Sequence, residues 1–297
     1  MTRDVLQVPM NGLIAGSTVA LLAVSYSLIY SILRFINFTF GEVLMVGAYV
    51  FYFFKVEFGV PTTLAGLGAV VILGFAGALV QIGAYKPFYR RSRLACLITA
   101  LGVSLILQNI ALIWFEGRPL SLRAQITTRV FHLAGISITD LQVAIFVAAI
   151  ALLIVTDLLV FRSDFGLRLR ALADNLSMAE ILGMDVARAV GGVFLLGSCF
   201  AATAGVFVSF ENVLKPTMGV SLGIEAFAAC VLGGIGSIRG AVAAAFFVSV
   251  VSHLVSFRVP LITPETTAYA ILLLTLACFM HERCRGGLLG TTWRRWC

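Results

Sequence analysis

The chain has 297 residues, 60% of them hydrophobic and only 12% charged, with a mean hydropathy of +1.04. A water-soluble globule cannot hide that much apolar surface behind a polar shell, so lipid is the solvent that fits and a soluble enzyme or binding module is excluded. The net charge of +7 comes from basic residues gathered in connections and at the C-terminus, which is the pattern of loops facing phospholipid headgroups and not of a nucleic-acid surface.

Taken in chain order, the apolar runs fall at about 8–33, 41–56, 62–85, 94–115, 140–161, 188–210, 221–236, 240–257 and 264–281. Runs of roughly 17 to 25 residues are what a helix needs to cross the hydrocarbon core. The reading is an all-α polytopic membrane protein of roughly eight or nine segments, with 1–297 forming one transmembrane domain. No basic region and no small-residue cleavage site accompany the first run, so it reads as a retained span. Two runs are doubtful as full crossings. The segment 41–56 is short and holds Glu42; the segment 221–236 holds Glu225 and ends in Gly233-Gly234-Ile235-Gly236. Short, glycine-interrupted stretches of this kind, here near 41–56 and 221–240, mark broken or re-entrant helices.

The connection 85–94 carries Lys86, Arg90, Arg91 and Arg93 with no acid, which places it in the cytoplasm. The connection 161–188 and the basic tail 282–297 then follow on the same side, and the N-terminus is periplasmic. The connection 116–140, with Arg118, Arg123 and Arg129, is the one basic loop that this count puts outside. Phe40-Gly41-Glu42 opens one short segment and Leu222-Gly223-Ile224-Glu225 the other. They are entered from opposite sides, which is the arrangement of an inverted repeat.

Enzyme signatures are missing from the sequence. It has no Gly-x-x-x-x-Gly-Lys loop, no His-Glu-x-x-His helix and no Gly-x-Ser-x-Gly elbow. The six cysteines form no Cys-x-x-Cys pair and read as small hydrophobes, so neither metal nor cofactor is expected on this chain. Within the membrane, Glu42 and Glu225 are the costly residues, at about 3 kcal/mol each on insertion scales. Either they cap helix N-termini or pair with Arg34 or a free amide, or they line a conduit. Asn37, Thr39, Gln108 and Asn109 are polar residues near or within spans, suited to interhelical hydrogen bonds or to a substrate path. Small-residue pairs (Gly12 with Gly16, Ala201 with Gly205, Gly236 with Gly240) allow close helix packing.

The connection 162–188 reads as a short amphipathic cytoplasmic helix. Leu172, Leu176 and Ala179 share a face, Ser177-x-x-Glu180 offers a capping box, and Gly183 offers a stop. Its balanced charge argues for a protein partner over anionic lipid.

Three stretches then carry a family resemblance: FINFTFGEVLMVGAY from Phe35, LRLRALADNLSMAEILGMDVARAV from Leu167 and GIEAFAACVLGGIGSIRGAV from Gly223, supported by LITALGVSLILQN from Leu97. In these the chain resembles the H-type permease subunits of branched-chain amino acid ABC importers. The resemblance implies an inner-membrane permease that pairs with a second, homologous permease. Two ATPase subunits hydrolyse the ATP, and a periplasmic binding protein delivers substrate. The coupling helix would correspond to 171–185, with Ala171, Asp174, Ser177, Met178, Ala179, Glu180, Leu182 and Gly183 facing the ATPase. Asn37, Thr39, Glu42, Gln108, Asn109 and Glu225 would flank the path, and transport would proceed by alternating access. Permeases for urea or short amides are similar, and a stand-alone channel, a secondary carrier and an intramembrane enzyme are the rival readings. Arg239, and the tail ending Trp293-Arg294-Arg295-Trp296-Cys297, depart from the family pattern.

Overall fold

The computed structural model describes residues 2–88, 93–122, 130–133 and 136–284. Among them are eleven helices: α1 (Thr2–Leu33), α2 (Thr39–Val56), α3 (Thr62–Val80), α4 (Arg93–Trp114), α5 (Asp140–Arg162), α6 (Asp164–Asp174), α7 (Leu176–Ile181), α8 (Val186–Glu211), α9 (Met218–Gly233), α10 (Ile238–Arg258) and α11 (Pro264–Cys284). Seven are long and apolar enough to cross a membrane, and Met218–Gly233 and Pro264–Cys278 are shorter apolar helices. The all-α polytopic reading therefore holds. The run at 41–56 lies in α2, which at 18 residues is long enough to span, whereas 221–236 covers most of α9, which is not, and the turn after it. Arg90, Arg91, Arg123, Arg129 and the tail 285–297 lie outside the described residues.

One local element was not legible in the sequence. Val130–Leu133 (β1) and Ile136–Thr139 (β2) pair antiparallel in what reads as a plain connection. Alternating β-branched and apolar residues make this possible. Thr139 ends β2 and starts α5 in one step: its hydroxyl accepts from the Gln142 amide, and the Gln142 side chain accepts from the Thr139 amide.

Two hydrogen-bonded contacts orient the bundle. At one end of α1, the Gln7 side chain exchanges two hydrogen bonds with the Ser137 backbone of β2. At the other end, the Arg34 guanidinium donates to the Ala173 carbonyl of α6 at 3.3 Å. The hairpin and the α6–α7 pair therefore lie at opposite ends of α1. The basic connection after Tyr85 emerges at the α6–α7 end, because Tyr85 is bonded to Asn37, three residues beyond Arg34.

The core is built around α1, α8 and α2, and its closest contacts are backbone to backbone. A β-carbon on Gly205 would collide with the Leu44 carbonyl, and one on Gly47 would lie 2.9 Å from the Ala202 Cα. Gly12 and Gly16 sit in the same way against Val250 and Phe246 of α10. The third small-residue pair is shifted from expectation. Gly240 packs on Gly233, while Gly236 is a turn residue with φ of +93° beside Tyr30 and Ser31.

The two short-segment helices start against one another. Gly41, in the first turn of α2, touches Gly219 and Gly223 of α9. From this shared start α2 runs parallel to α8, with Phe40 against Gly197 and Phe51 against Phe210. In the other direction, α9 passes Ala23 and Ser27 at Cys230, and the turn that follows it sets Gly236 beside Tyr30. The helices thus diverge toward opposite ends of the bundle. Their acids are not in equivalent turns, however: Glu42 is the fourth residue of α2 and Glu225 the eighth of α9.

Candidate functional site

The segment 162–188, where the sequence places a candidate coupling helix, is two helices with an elbow, not the single helix over 171–185 that the sequence suggests. Ser163 caps α6 through its hydroxyl, which accepts from the Gly166 amide, and Asp185 caps α8 by accepting from the Arg188 amide. Between them Asn175 adopts an extended conformation (φ −154°, ψ 106°), and its side chain accepts from the Met178 amide. That makes Asn175 the N-cap of α7, in place of Ser177, which is inside the helix. A short side chain beside an extended backbone satisfies the orphan amide at lower cost than a helical serine does.

The far end of α7 matches expectation. Gly183 has φ of +80°, its amide donates to the Glu180 carbonyl, and the Met184 amide reaches back to Ala179 at 3.0 Å. Those two bonds make a Schellman cap, whose left-handed residue is best served by glycine. Leu172 and Ala179 turn inward and seat the elbow on the core. Ala171, Asp174, Met178, Glu180, Leu182 and Gly183 are on the outside. Three large apolar side chains project there: Met178 is 58% exposed, Ile181 79% and Leu182 80%. Ile181 is the one a sequence reading of this surface underrates. Ala179 is a seating residue, its small side chain buried against the protein itself.

The polar residues of the candidate path divide into two groups. Asn37 and Thr39 belong to a buried knot. The Asn37 carbonyl oxygen accepts from the Thr39 amide at 3.1 Å and from the Tyr85 hydroxyl at 2.7 Å. The Thr39 hydroxyl lies 2.6 Å from the Tyr85 hydroxyl and within hydrogen-bond distance of the Ala100 carbonyl of α4, between which its one proton is shared. Tyr85, missed in the sequence, ends a π turn (Gln81–Tyr85) that continues α3 and brings the phenol under the 34–38 loop. No sequence signal marks such a turn, although π turns gather at functional places.

Glu42 and Glu225 form the second group. Neither meets Arg34. The Ser104 hydroxyl of α4 donates to Glu42 Oε1 at 3.3 Å, and the Ser249 hydroxyl of α10 donates to Glu225 Oε1 at 3.0 Å. Gln108 follows Ser104 by one turn of α4 and is half-buried; Asn109 is exposed and donates to its own helix at Leu105. The structure thus gathers Glu42, Ser104 and Gln108 along one flank and leaves Glu225 between α9 and α10. Among the described residues no cluster of His, Cys, Asp and Glu suits a metal ion.

Residues 8–280 match the family model described as "Branched-chain amino acid transport system / permease component". The chain belongs to this family. The permease is 34% identical over 284 residues to the high-affinity branched-chain amino acid transport system permease protein LivH of Escherichia coli K12, covering 91% of this chain and 92% of that one. It is 33% identical to the corresponding protein BraD of Pseudomonas aeruginosa, over 80% and 81% of the two chains. Among solved structures it is similar to PsaBC from Streptococcus pneumoniae in complex with Fab, at a TM-score of 0.50 and 15% identity, covering 89% of each chain. That likeness concerns the fold alone.

Proposed function

We propose that this permease is the substrate-conducting subunit of an ATP-driven importer that carries branched-chain or related amino acids across a bacterial inner membrane. It works with a second, homologous permease, two ATPase subunits and a periplasmic binding protein. The connection 162–188 and the tail 282–297 face the cytoplasm, and the N-terminus and hairpin face outward. The observation that carries the reading is the elbow of α6 and α7. It holds Met178, Ile181 and Leu182 out of the protein on a short, doubly capped helix at the end of the bundle where the basic connections emerge. An exposed apolar knob with charged flanks suits a groove on a partner protein. The names of the relatives support the choice of cargo.

Transport is by alternating access. Closure of the ATPase dimer pushes the elbows, and the helices rock about the region where α2 and α9 begin. ATP is bound and hydrolysed by the partners, and this chain supplies contact surface and conduit. Cysteines placed at Met178 or Glu180 are expected to crosslink to the ATPase in the assembled complex. Labelling of these positions from the periplasmic side would overturn the reading.

A further inference from the structure

The backbones at the start of α2 and the start of α9 meet at glycines, and oxygen atoms crowd the junction. A β-carbon on Gly219 would lie 2.6 Å from Glu42 Oε2 and 2.7 Å from the Gly41 carbonyl oxygen, and one on Gly223 would lie 3.0 Å from Tyr26 Oη. Glu42 is 1% exposed and Tyr26 4%. Glu42 Oε2 and Tyr26 Oη are both buried without a hydrogen-bond partner among the described residues. Leaving such atoms unpartnered costs free energy, more so for a carboxylate, and folded proteins rarely leave two together without a reason.

Helix capping does not supply the reason. The first turn of α9 has no side-chain cap, and Glu42 Oε2 accepts no amide there; the Tyr26 hydroxyl lies beside the Gly41 backbone amide in the first turn of α2, a contact that leaves the carboxylate oxygen unserved. Core packing does not supply it either, because Tyr26 already packs edge-on to Phe40 through its ring and needs no hydroxyl for that. What converges is a set of acceptors: one carboxylate oxygen, one carbonyl and one phenol oxygen able to accept. That set suits a small cation with several N–H donors. The backbones of α2 and α9 meet directly at Gly41, Gly219 and Gly223, and one ring pair, Phe38 with Phe227, also spans the contact.

We infer that Glu42 Oε2 and Tyr26 Oη receive the α-ammonium group of the cargo when α2 and α9 separate, with Ser104 holding the other oxygen of Glu42 in place. This rests on the reading of the protein as an amino-acid importer. The test uses the complete complex, reconstituted with its partners, for both uptake and infrared difference spectra. Three probes are added singly: leucine, the hydroxy acid analogue of leucine, and sodium chloride. Leucine is expected to perturb one carboxyl band that is lost in Glu42→Gln and shifted in Tyr26→Phe, and the hydroxy acid and the salt leave it unmoved. Leucine uptake falls roughly tenfold or more in Glu42→Gln, the scale of a hydrogen bond to a charged group. Tyr26→Phe keeps the ring packing, so a spectrum identical to wild type in that variant counts against the site even if Glu42→Gln fails to fold. A leucine response that survives in Glu42→Gln, or an equal response to sodium chloride or the hydroxy acid, overturns the inference. A wild-type complex that transports no branched-chain amino acid overturns instead the importer reading beneath it.

Discussion

Replacing Gly183 isolates one property of the α6–α7 elbow. The residue has φ of +80°, and a β-carbon built on it would meet nothing within 4 Å. Any cost of substitution is therefore conformational, about 1–2 kcal/mol for a left-handed residue with a β-carbon. At the level of a local equilibrium that is roughly a 5- to 30-fold loss of the closed Schellman turn. Asparagine tolerates the left-handed region better than alanine does, and a β-branched side chain tolerates it least. The expected order for uptake per ATP hydrolysed, in complexes reconstituted with their partners, is Gly, Asn, Ala, Val. Gly183→Val should insert and fold normally while hydrolysis runs on without matching transport. Equal ratios for Gly183→Val and wild type, at normal expression, would refute the reasoning and leave Gly183 as an ordinary turn residue.

Removing the cap of α7 with Asn175→Ala should loosen that helix by about 1 kcal/mol, read as faster hydrogen exchange at the Met178 amide with α6 unaffected. Gly205→Val should give little detergent-stable protein and a lowered Tm, because its side chain meets the Leu44 backbone; Gly102→Ala, which faces open space, should match wild type. Asp157→Asn removes the charge and one of the two oxygens to which Arg239 donates at 2.6 and 3.0 Å. The pair is largely solvent-exposed, so the loss in thermal stability should stay below about 1 kcal/mol and shrink with added salt.

Much of this architecture is readable from residues. Apolar runs bounded by Gly, Pro and Arg locate the spans, because a membrane admits few alternatives to a helix. Gly183 is readable too, since a glycine after an amphipathic stretch is the usual stop. The errors lie where several residues offer the same local chemistry. Asn175 and Ser177 are both residue types that cap helices and lie two positions apart, and the backbone of Asn175 is the one that turns extended. Gly233, Gly236 and Gly240 are spaced so that two of the three can pair, and only the turn geometry selects Gly233 with Gly240. Of the candidate path, Glu42 and its neighbour α9 were legible as a short segment with an intramembrane charge. Tyr85 was not, because a tyrosine ending an apolar run resembles an interfacial aromatic, and the π turn that aims it leaves no pattern.

The elbow divides its tasks among different residues. Ser163, Asn175 and Asp185 set its angles through backbone amides, Leu172 and Ala179 fix it to the bundle, and at the α7 end Met178, Ile181 and Leu182 face outward with large apolar side chains. On the proposed docking, a lineage that acquires a different motor can change those three residues to fit the new groove while the hinge points and the seat stay as they are. Duplicated transport systems would in this way keep their motors from cross-reacting through a handful of surface substitutions, with no change to the geometry of the elbow.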